Sequence, residues 1–274
     1  LLLNGGYFVD KSLLIKELID NANKVTLITR PRRFGKSLNF SMLKWFWENP
    51  ECRAADTLLH RDVSHLFSDL AITRAGEEYM EEQGQYPVIF FSFRGAKMNT
   101  WEETEQKLKK AIAEEYDRHN YLLRSKMITE SQRLYISRII AMEGSQAEYT
   151  DALFNLTKFL KLHFSKAVIV LIDEYDTPIQ QGYLREYFDD VLNFFRPFLV
   201  EGLKGNDYLK RAVITGIMKV AQESVFSSFN NPSVSTITDL DFADKFGFTE
   251  PEVIELLEAF DLGDHFADVK NWYN

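Results

Sequence analysis

Apolar, β-branched and aromatic residues form four short uninterrupted segments, as is typical of strands that are buried on both faces of a parallel sheet. These segments are 25–28, 87–93, 167–172 and 211–216. The longer segments between them carry apolar residues at helical spacing. Strands that alternate with helices predict an α/β fold with a mostly parallel central sheet.

Several helices have recognisable boundaries in the sequence. Helices are predicted over 13–19, 38–47, 100–119, 129–142, 152–164, 184–203 and 253–260. Ser145 with Glu148, and Thr249 with Glu252, have the spacing of capping boxes. Pro197 lies inside the predicted helix 184–203 and is expected to kink or split it, because proline lacks the amide N–H that the helix needs.

A phosphate-binding loop is predicted between the first strand and the helix that follows it, where residues 29–37 read TRPRRFGKS. Gly35 lets the backbone approach a ligand, Lys36 can reach the β- and γ-phosphates, and the Ser37 hydroxyl can ligate Mg²⁺. The free amides and the positive dipole end of the helix also favour phosphate. The residues predicted to contact nucleotide here are Arg30, Pro31, Arg32, Arg33, Phe34, Gly35, Lys36, Ser37 and Leu38.

The loop departs from the usual pattern at its entry. Arg30 stands where the first glycine is expected, and Pro31 pushes Arg30 toward extended geometry. The alternative interpretation is an ordinary strand-to-helix turn that carries exposed Arg and Lys side chains.

An acidic pair follows the third predicted strand. Asp173 is positioned by this pattern to hold Mg²⁺, and Glu174 to orient and deprotonate a water molecule. The alternative is a strand that simply emerges into an acidic loop. The two motifs occur in the expected order and each follows its own buried strand, which favours nucleotide binding.

Thr215 ends the fourth predicted strand. Ligands of open α/β sheets bind at the carboxyl ends of strands, so the Thr215 hydroxyl is a candidate contact to the γ-phosphate or to the attacking water. The alternative is a hydroxyl that bonds within its own turn.

Four stretches of the chain belong to one recognisable pattern: YFVDKS at 7–12, TRPRRFGKSL at 29–38, DEYDTP at 173–178 and TGI at 215–217. Together they resemble the bacterial AAA-ATPase-like family, in which an arginine at the position of Arg30 is part of the motif. The resemblance runs along nearly the whole chain. It implies a P-loop NTPase fold, a three-layer α/β/α sandwich similar to AAA and STAND ATPases.

The resemblance also implies a domain organisation. Residues 1–235 are expected to form the ATPase domain, and residues 236–274 to begin a C-terminal helical lid. In relatives a nuclease-like domain of the PD-(D/E)XK type usually follows, so the sequence looks like an ATPase domain cut from a longer protein.

Further contacts follow from the same resemblance. Phe8 and Val9 are expected to line a base pocket; alternatively, Asp10 or Ser12 caps the next helix beside a hydrophobic staple. Lys219 is a candidate phosphate contact. ATP is expected over GTP, and the sequence contains no Asn-Lys-x-Asp guanine motif.

Composition limits the possible binding partners and cellular location of the chain. The net charge of −9 argues against a general basic surface for nucleic acid. Cys52 is the single cysteine, which excludes an intrachain disulfide and fits a reducing cytoplasm. No apolar run approaches the roughly 20 residues of a spanning helix, and residues 1–3 lack a signal-peptide pattern. His60 and His65 are interpreted as solvated side chains and not as metal ligands.

Two functions are compatible with these residues. In the first, Lys36, Glu174 and Thr215 hydrolyse ATP while Ser37 and Asp173 hold Mg²⁺, and turnover drives or gates an attached domain. In the second, the chain is a nucleotide-dependent switch with little or no turnover. No arginine finger is assigned, and the alternatives are a neighbouring subunit of a homo-oligomer or Arg185, Arg196 and Arg211.

Overall fold

A parallel sheet forms the centre of the molecule. The computed structural model describes residues 7–52, 63–218 and 232–273 of the chain. The strands in these ranges are β1 (Val25–Thr29), β2 (Val88–Ser92), β3 (Val168–Asp173), β4 (Leu209–Gly216) and β5 (Ser233–Ser235). The α-helices are α1 (Leu13–Asp20), α2 (Lys36–Trp47), α3 (Glu77–Met80), α4 (Trp101–Arg118), α5 (Glu130–Ile140), α6 (Gln146–Thr150), α7 (Ala152–Phe164), α8 (Thr177–Leu184), α9 (Phe188–Leu203), α10 (Glu250–Ala259) and α11 (Phe266–Tyr273). Short 3₁₀ helices occupy Pro50–Cys52, Ser64–Phe67, Ala71–Arg74, Asn120–Arg124 and Gly263–His265.

The strands are arranged in the order β2-β3-β4-β1-β5, and every pair is parallel. Thr29 is level with Gly216, and Ser92 is level with Asp173. All carboxyl ends therefore meet at one edge of the sheet. The segments that follow β1 and β3 emerge at this edge with only β4 between them.

Helices cover both faces of the sheet, because the apolar strand residues alternate between two buried clusters. Val170 and Ile172 pack in the cluster that contains α4, α5, α7 and α9. Ile169 and Leu171 point the other way, into the cluster formed with α1 and α2. The expected three-layer α/β/α sandwich is confirmed. None of the helices in the described ranges combines the length and the apolar character that crossing a membrane requires.

The predicted break in the helix 184–203 lies at a different place. α9 continues through Pro197, and the chain turns instead between α8 and α9, where Glu186 has φ of +65°. A Cβ at Gly182 would lie 2.9 Å from Cγ2 of Val191, so the two helices meet closely at this corner. The carbonyl that Pro197 leaves without an intrahelical donor belongs to Asn193, an exposed residue, and water can satisfy it.

Side chains from α4 occupy the free edge of β2. The amide of Phe90 donates to Oε1 of Glu115 at 2.8 Å, and the guanidinium of Arg118 donates to the carbonyl of Val88. Arg118 also bonds Glu115 and Glu48, so a buried ion-pair cluster covers polar groups that an unprotected edge strand would expose. Burial by itself would raise the pKa of Glu115, but Arg118 and His119 overcome this effect and lower the pKa to about 2.

We expect the variant Glu115→Gln to lower the free energy of unfolding by about 3 kcal/mol at pH 7, because it leaves the buried charge of Arg118 poorly compensated. The folded-state pKa of Glu115, about 2, lies below its ordinary value of 4.5. The stabilisation is therefore present above pH 4.5 and is lost as the pH falls toward 2. Urea unfolding of wild type and variant between pH 7 and pH 2.5 measures this difference.

Glu114→Gln is the matched control, since Glu114 is exposed on the same helix and pairs only with exposed Lys110 among the ion pairs described. Its effect should stay within about 0.5 kcal/mol. An equal loss of stability in the two variants, or a Glu115 effect that does not change with pH, would contradict the role assigned to this cluster.

Candidate functional site

The loop between β1 and α2 contains two residues with positive φ and leads directly into the helix. Gly35 immediately precedes α2 with φ of +74°, a left-handed conformation that glycine adopts without steric cost. Arg33 also has positive φ, at +69°, which costs a non-glycine residue about 1 kcal/mol or more. Beyond Gly35, the first amides of the helix have no intrahelical acceptors and point toward the mouth of the loop.

Lys36 lies inside the curve of this loop. Its ammonium donates to the carbonyl oxygens of Arg30 and Pro31 at 3.0 and 2.7 Å, and the residue is 8% exposed. Burial lowers the pKa of Lys36, and nearby carboxylates, led by Asp173, act in the opposite direction. An ammonium has three donors, so one remains for a ligand after the two carbonyls are bound.

The loop and the acidic pair are in direct contact. The Ser37 hydroxyl donates to Oδ2 of Asp173 at 2.6 Å, although 136 residues separate the two in sequence. Asp173 is buried at the end of β3, and burial raises its pKa. The structure thus brings together the two residues that the sequence predicted as magnesium ligands.

Two polar atoms beside this contact have no hydrogen-bond partner among the described residues. They are Oδ1 of Asp173 and Oγ1 of Thr215, both buried. Ile172 pairs with Ile214, so Asp173 and Thr215 are neighbours on adjacent strands. Thr215 makes no bond within its own turn, which removes the alternative considered for it, and it does not line the cavity described below.

These orphaned atoms fit a Mg²⁺ ion, which prefers oxygen ligands and usually combines one or two carboxylates with water and phosphate. Ser37 and Asp173 supply such oxygens. No cluster of three or more His, Cys, Asp or Glu side chains suited to a metal occurs in the described ranges.

Glu174 follows Asp173 with φ of +52°, which is uncommon for a non-glycine residue. Its Oε2 accepts a hydrogen bond from the Thr177 hydroxyl at 3.2 Å. Its Oε1 lies 3.9 Å from Nε of Arg94, a residue in the turn after β2. The carboxylate is therefore held on one side and faces a cation on the other.

A cavity of about 420 Å³ lies between the loop and the acidic pair. Five of its lining residues are cationic and one is a carboxylate, in a chain whose net charge is −9. Such a concentration of positive charge suits a polyphosphate. The lining residues are Arg32, Arg33, Gly35, Lys36, Ser37, Leu38, Arg94, Lys97, Glu174 and Ile217.

A second cavity of about 180 Å³ adjoins the first and shares Arg33, Gly35 and Leu38 with it. Its wall is largely apolar and is made by the N-terminal segment, the loop and the C-terminal segment. The other lining residues are Tyr7, Val9, Lys11, Phe34, Asn39, Lys245, Gly247, Phe248 and Leu256.

Only part of the predicted base pocket is found in this second cavity. Val9 lines it, but Phe8 does not, because the Phe8 ring packs against the core cluster of α1 and α2. Of the two capping candidates, Asp10 is found at the helix entry, where its Oδ1 accepts from the amide of Ser12 at 2.8 Å. The Ser12 hydroxyl accepts from the amide of Ile72 at 3.0 Å and makes no capping bond to α1.

The side chain of Arg30 differs most from its expected position. Its guanidinium is buried and donates to backbone oxygens of Thr29, Ser235, Asp241 and Phe242. It therefore cannot face a phosphate, and only its backbone belongs to the loop. The arginine in place of glycine fastens the loop to the C-terminal segment.

Residues near the site that the sequence interpretation missed are Arg94, Lys97 and Asp176. Oδ2 of Asp176 accepts from the amides of Ile217 and Met218 at 2.8 and 3.0 Å. A signal for these two cations was present, because Arg94 directly follows the predicted strand 87–93 at its carboxyl end and Lys97 comes three residues later. Lys219 and His60 lie outside the described residues.

The chain is similar to one curated protein and to one protein family. A protein of Azotobacter chroococcum mcd 1, named "Uncharacterized protein in vnfD 5'region", is 24% identical over 270 residues. The match covers 98% of this chain but 44% of that relative, so the chain spans less than half of the relative's length. No solved structure matches the chain. The AAA-ATPase-like family, described as "Predicted AAA-ATPase", matches residues 1–226, and the chain therefore belongs to this family.

Proposed function

We propose that the chain binds ATP with Mg²⁺ and hydrolyses it to ADP and phosphate. The observation that carries this proposal is the 2.6 Å hydrogen bond between Ser37 and Asp173 at the wall of a strongly cationic cavity. It joins a candidate phosphate loop to a candidate metal-binding carboxylate. Membership of the AAA-ATPase-like family supports the same conclusion.

The triphosphate is assigned to the larger cavity. Amides at the start of α2 and the third donor of Lys36 bind its oxygens. Ser37 and Asp173 would hold Mg²⁺, which would supply positive charge that offsets the charge of the triphosphate. Thr215 acts as a positioning residue beside Asp173, where its unpaired hydroxyl can orient a water molecule.

Glu174 is assigned as the group that orients the attacking water. The water oxygen bonds the terminal phosphorus, the bond from phosphorus to the bridging oxygen breaks, and its electron pair leaves with ADP. The proton released by the water passes to Glu174. The hydroxyl of Thr177 holds Oε2 of Glu174, which leaves Oε1 to accept that proton.

The base is assigned to the smaller cavity. Apolar contacts from Val9, Phe34 and Leu38 suit the face of a purine, and the position beside Gly35 connects base and phosphates. We expect adenine, on the resemblance described above.

One observation favours the alternative of a switch with slow turnover. The C-terminal segment is tied across the base cavity by ion pairs from Lys11 to Glu252 and from Lys245 to Glu17. Release of a bound nucleotide would require these contacts to open. An attached nuclease-like domain, a lid over 236–274, a homo-oligomer and a cytoplasmic location all stay predictions.

Lys36→Ala should lower ATP affinity at least tenfold, because it removes the buried ammonium from the loop. Glu174→Gln should keep ATP affinity within about threefold but reduce phosphate release by about 100-fold, because the base is lost. Calorimetric binding and phosphate release, both with Mg²⁺, separate the two effects.

Lys166→Ala serves as the control, since Lys166 is exposed before β3, at the opposite edge of the sheet. It should behave as wild type in both assays. Normal turnover by Glu174→Gln would refute the assignment of the base, and nucleotide binding without turnover in wild type would favour the switch.

Leu256→Trp tests the base cavity from the side of α10, whose side chains are not buried and so tolerate substitution. Filling the cavity should weaken ATP binding about tenfold. Binding of inorganic tripolyphosphate, which has no base, should change less than about twofold. Ile254→Trp on the same helix does not fill the cavity and should leave both ligands unaffected; equal losses for ATP and tripolyphosphate would place the base elsewhere.

A further inference from the structure

The turn after β2 carries two cations into the wall of the larger cavity opposite the phosphate loop. The amide of Phe93 donates to the carbonyl of Asp173 at 3.1 Å, and the amide of Ala96 donates to the carbonyl of Phe93 at 3.0 Å. These bonds fix the turn directly beside the acidic pair. Arg94 and Lys97 extend from it, and both line the cavity together with Lys36 and Glu174.

Arg94 has the freedom that a ligand contact requires. Its side chain is 77% exposed, and its nearest described charge partner is Glu174, at 3.9 Å. That distance exceeds a hydrogen bond, so the guanidinium keeps its donors available. It lies next to the residue assigned to the attacking water, and therefore on the side of the terminal phosphorus.

The arginines considered from sequence are placed less favourably. Arg211 donates to carbonyls of Ile19, Asn21 and Asn23, near the amino end of β4 and away from the cavity. Arg185 and Arg196 are not among the residues that line the cavity.

We propose that Arg94 contacts the terminal phosphate of the bound nucleotide from within the same chain, as a catalytic residue for phosphoryl transfer. This inference rests on the proposed ATPase function. When water attacks and the bond to the bridging oxygen breaks, negative charge is spread over the terminal phosphoryl oxygens. A planar guanidinium presents two parallel N–H donors that match two of these oxygens, a fixed geometry that an ammonium lacks. The reaction then requires no arginine from a second subunit.

Arg94→Ala tests this contact by comparing ligands with and without the terminal phosphate. Affinity for a non-hydrolysable ATP analogue with Mg²⁺ should fall about tenfold, whereas affinity for ADP should change less than about twofold. Phosphate release at saturating ATP should fall by about 100-fold or more. Arg94→Lys should recover most of the analogue affinity but little of the rate, because it restores charge without the planar pair of donors.

Arg185→Ala is the matched control, an exposed arginine at the end of α8 that does not line the cavity, and it should leave all three measurements at wild-type values. If Arg94→Ala leaves the ratio of analogue affinity to ADP affinity unchanged, the inference is overturned.

The outcomes also separate this inference from the proposed function. If the wild-type chain binds neither nucleotide, the proposed function fails and the role of Arg94 fails with it. If wild type binds both ligands but releases no phosphate, hydrolysis fails while the ratio of the two affinities still decides whether Arg94 contacts the terminal phosphate.

Discussion

The hydrogen bond from Ser37 to Asp173 reaches across one strand of the sheet, and the arrangement of the whole site depends on it. β1 and β3 are not neighbours, because β4 lies between them. Their carboxyl ends still converge, since all strands of the sheet run parallel. A hydroxyl at the start of α2 and a carboxylate at the end of β3 can therefore meet, and a cavity lined by cationic side chains opens beside them. An antiparallel β3 would carry Asp173 to the opposite edge.

Three charged side chains are buried around this contact. Arg30, Lys36 and Asp173 are each at most 8% exposed, and burying charged groups is costly unless partners compensate them. Arg30 is fully engaged with backbone oxygens, and Lys36 is engaged with two carbonyls of the loop. Asp173 retains one unsatisfied oxygen. The charge of Arg30 is thus compensated by several protein oxygens, whereas Lys36 keeps one donor and Asp173 one oxygen for a further partner.

The C-terminal segment contributes to the same site from a distant part of the sequence. The amide of Gly247 donates to the carbonyl of Phe34, and the Asn39 side chain donates to the carbonyl of Lys245. Gly247 itself is restricted, because it has φ of +73° and a Cβ there would lie 2.9 Å from the Phe34 ring. The loop is consequently supported from both sides, by the sheet and by residues 235–252. This double support explains how Arg33 is held at positive φ.

Local pattern determined much of this protein. The four long strands, the helix boundaries at Thr100, Thr129 and Ser145, the loop 29–37 and the acidic pair can all be read from the sequence, because each depends on residues within one turn or one strand. Only the tertiary structure decided that Arg30 faces away from the cavity, that Phe8 belongs to the core, that β5 joins the sheet and that Arg94 lies beside Glu174. Those positions depend on partners that are tens to hundreds of residues away, and neither periodicity nor spacing carries information about such contacts.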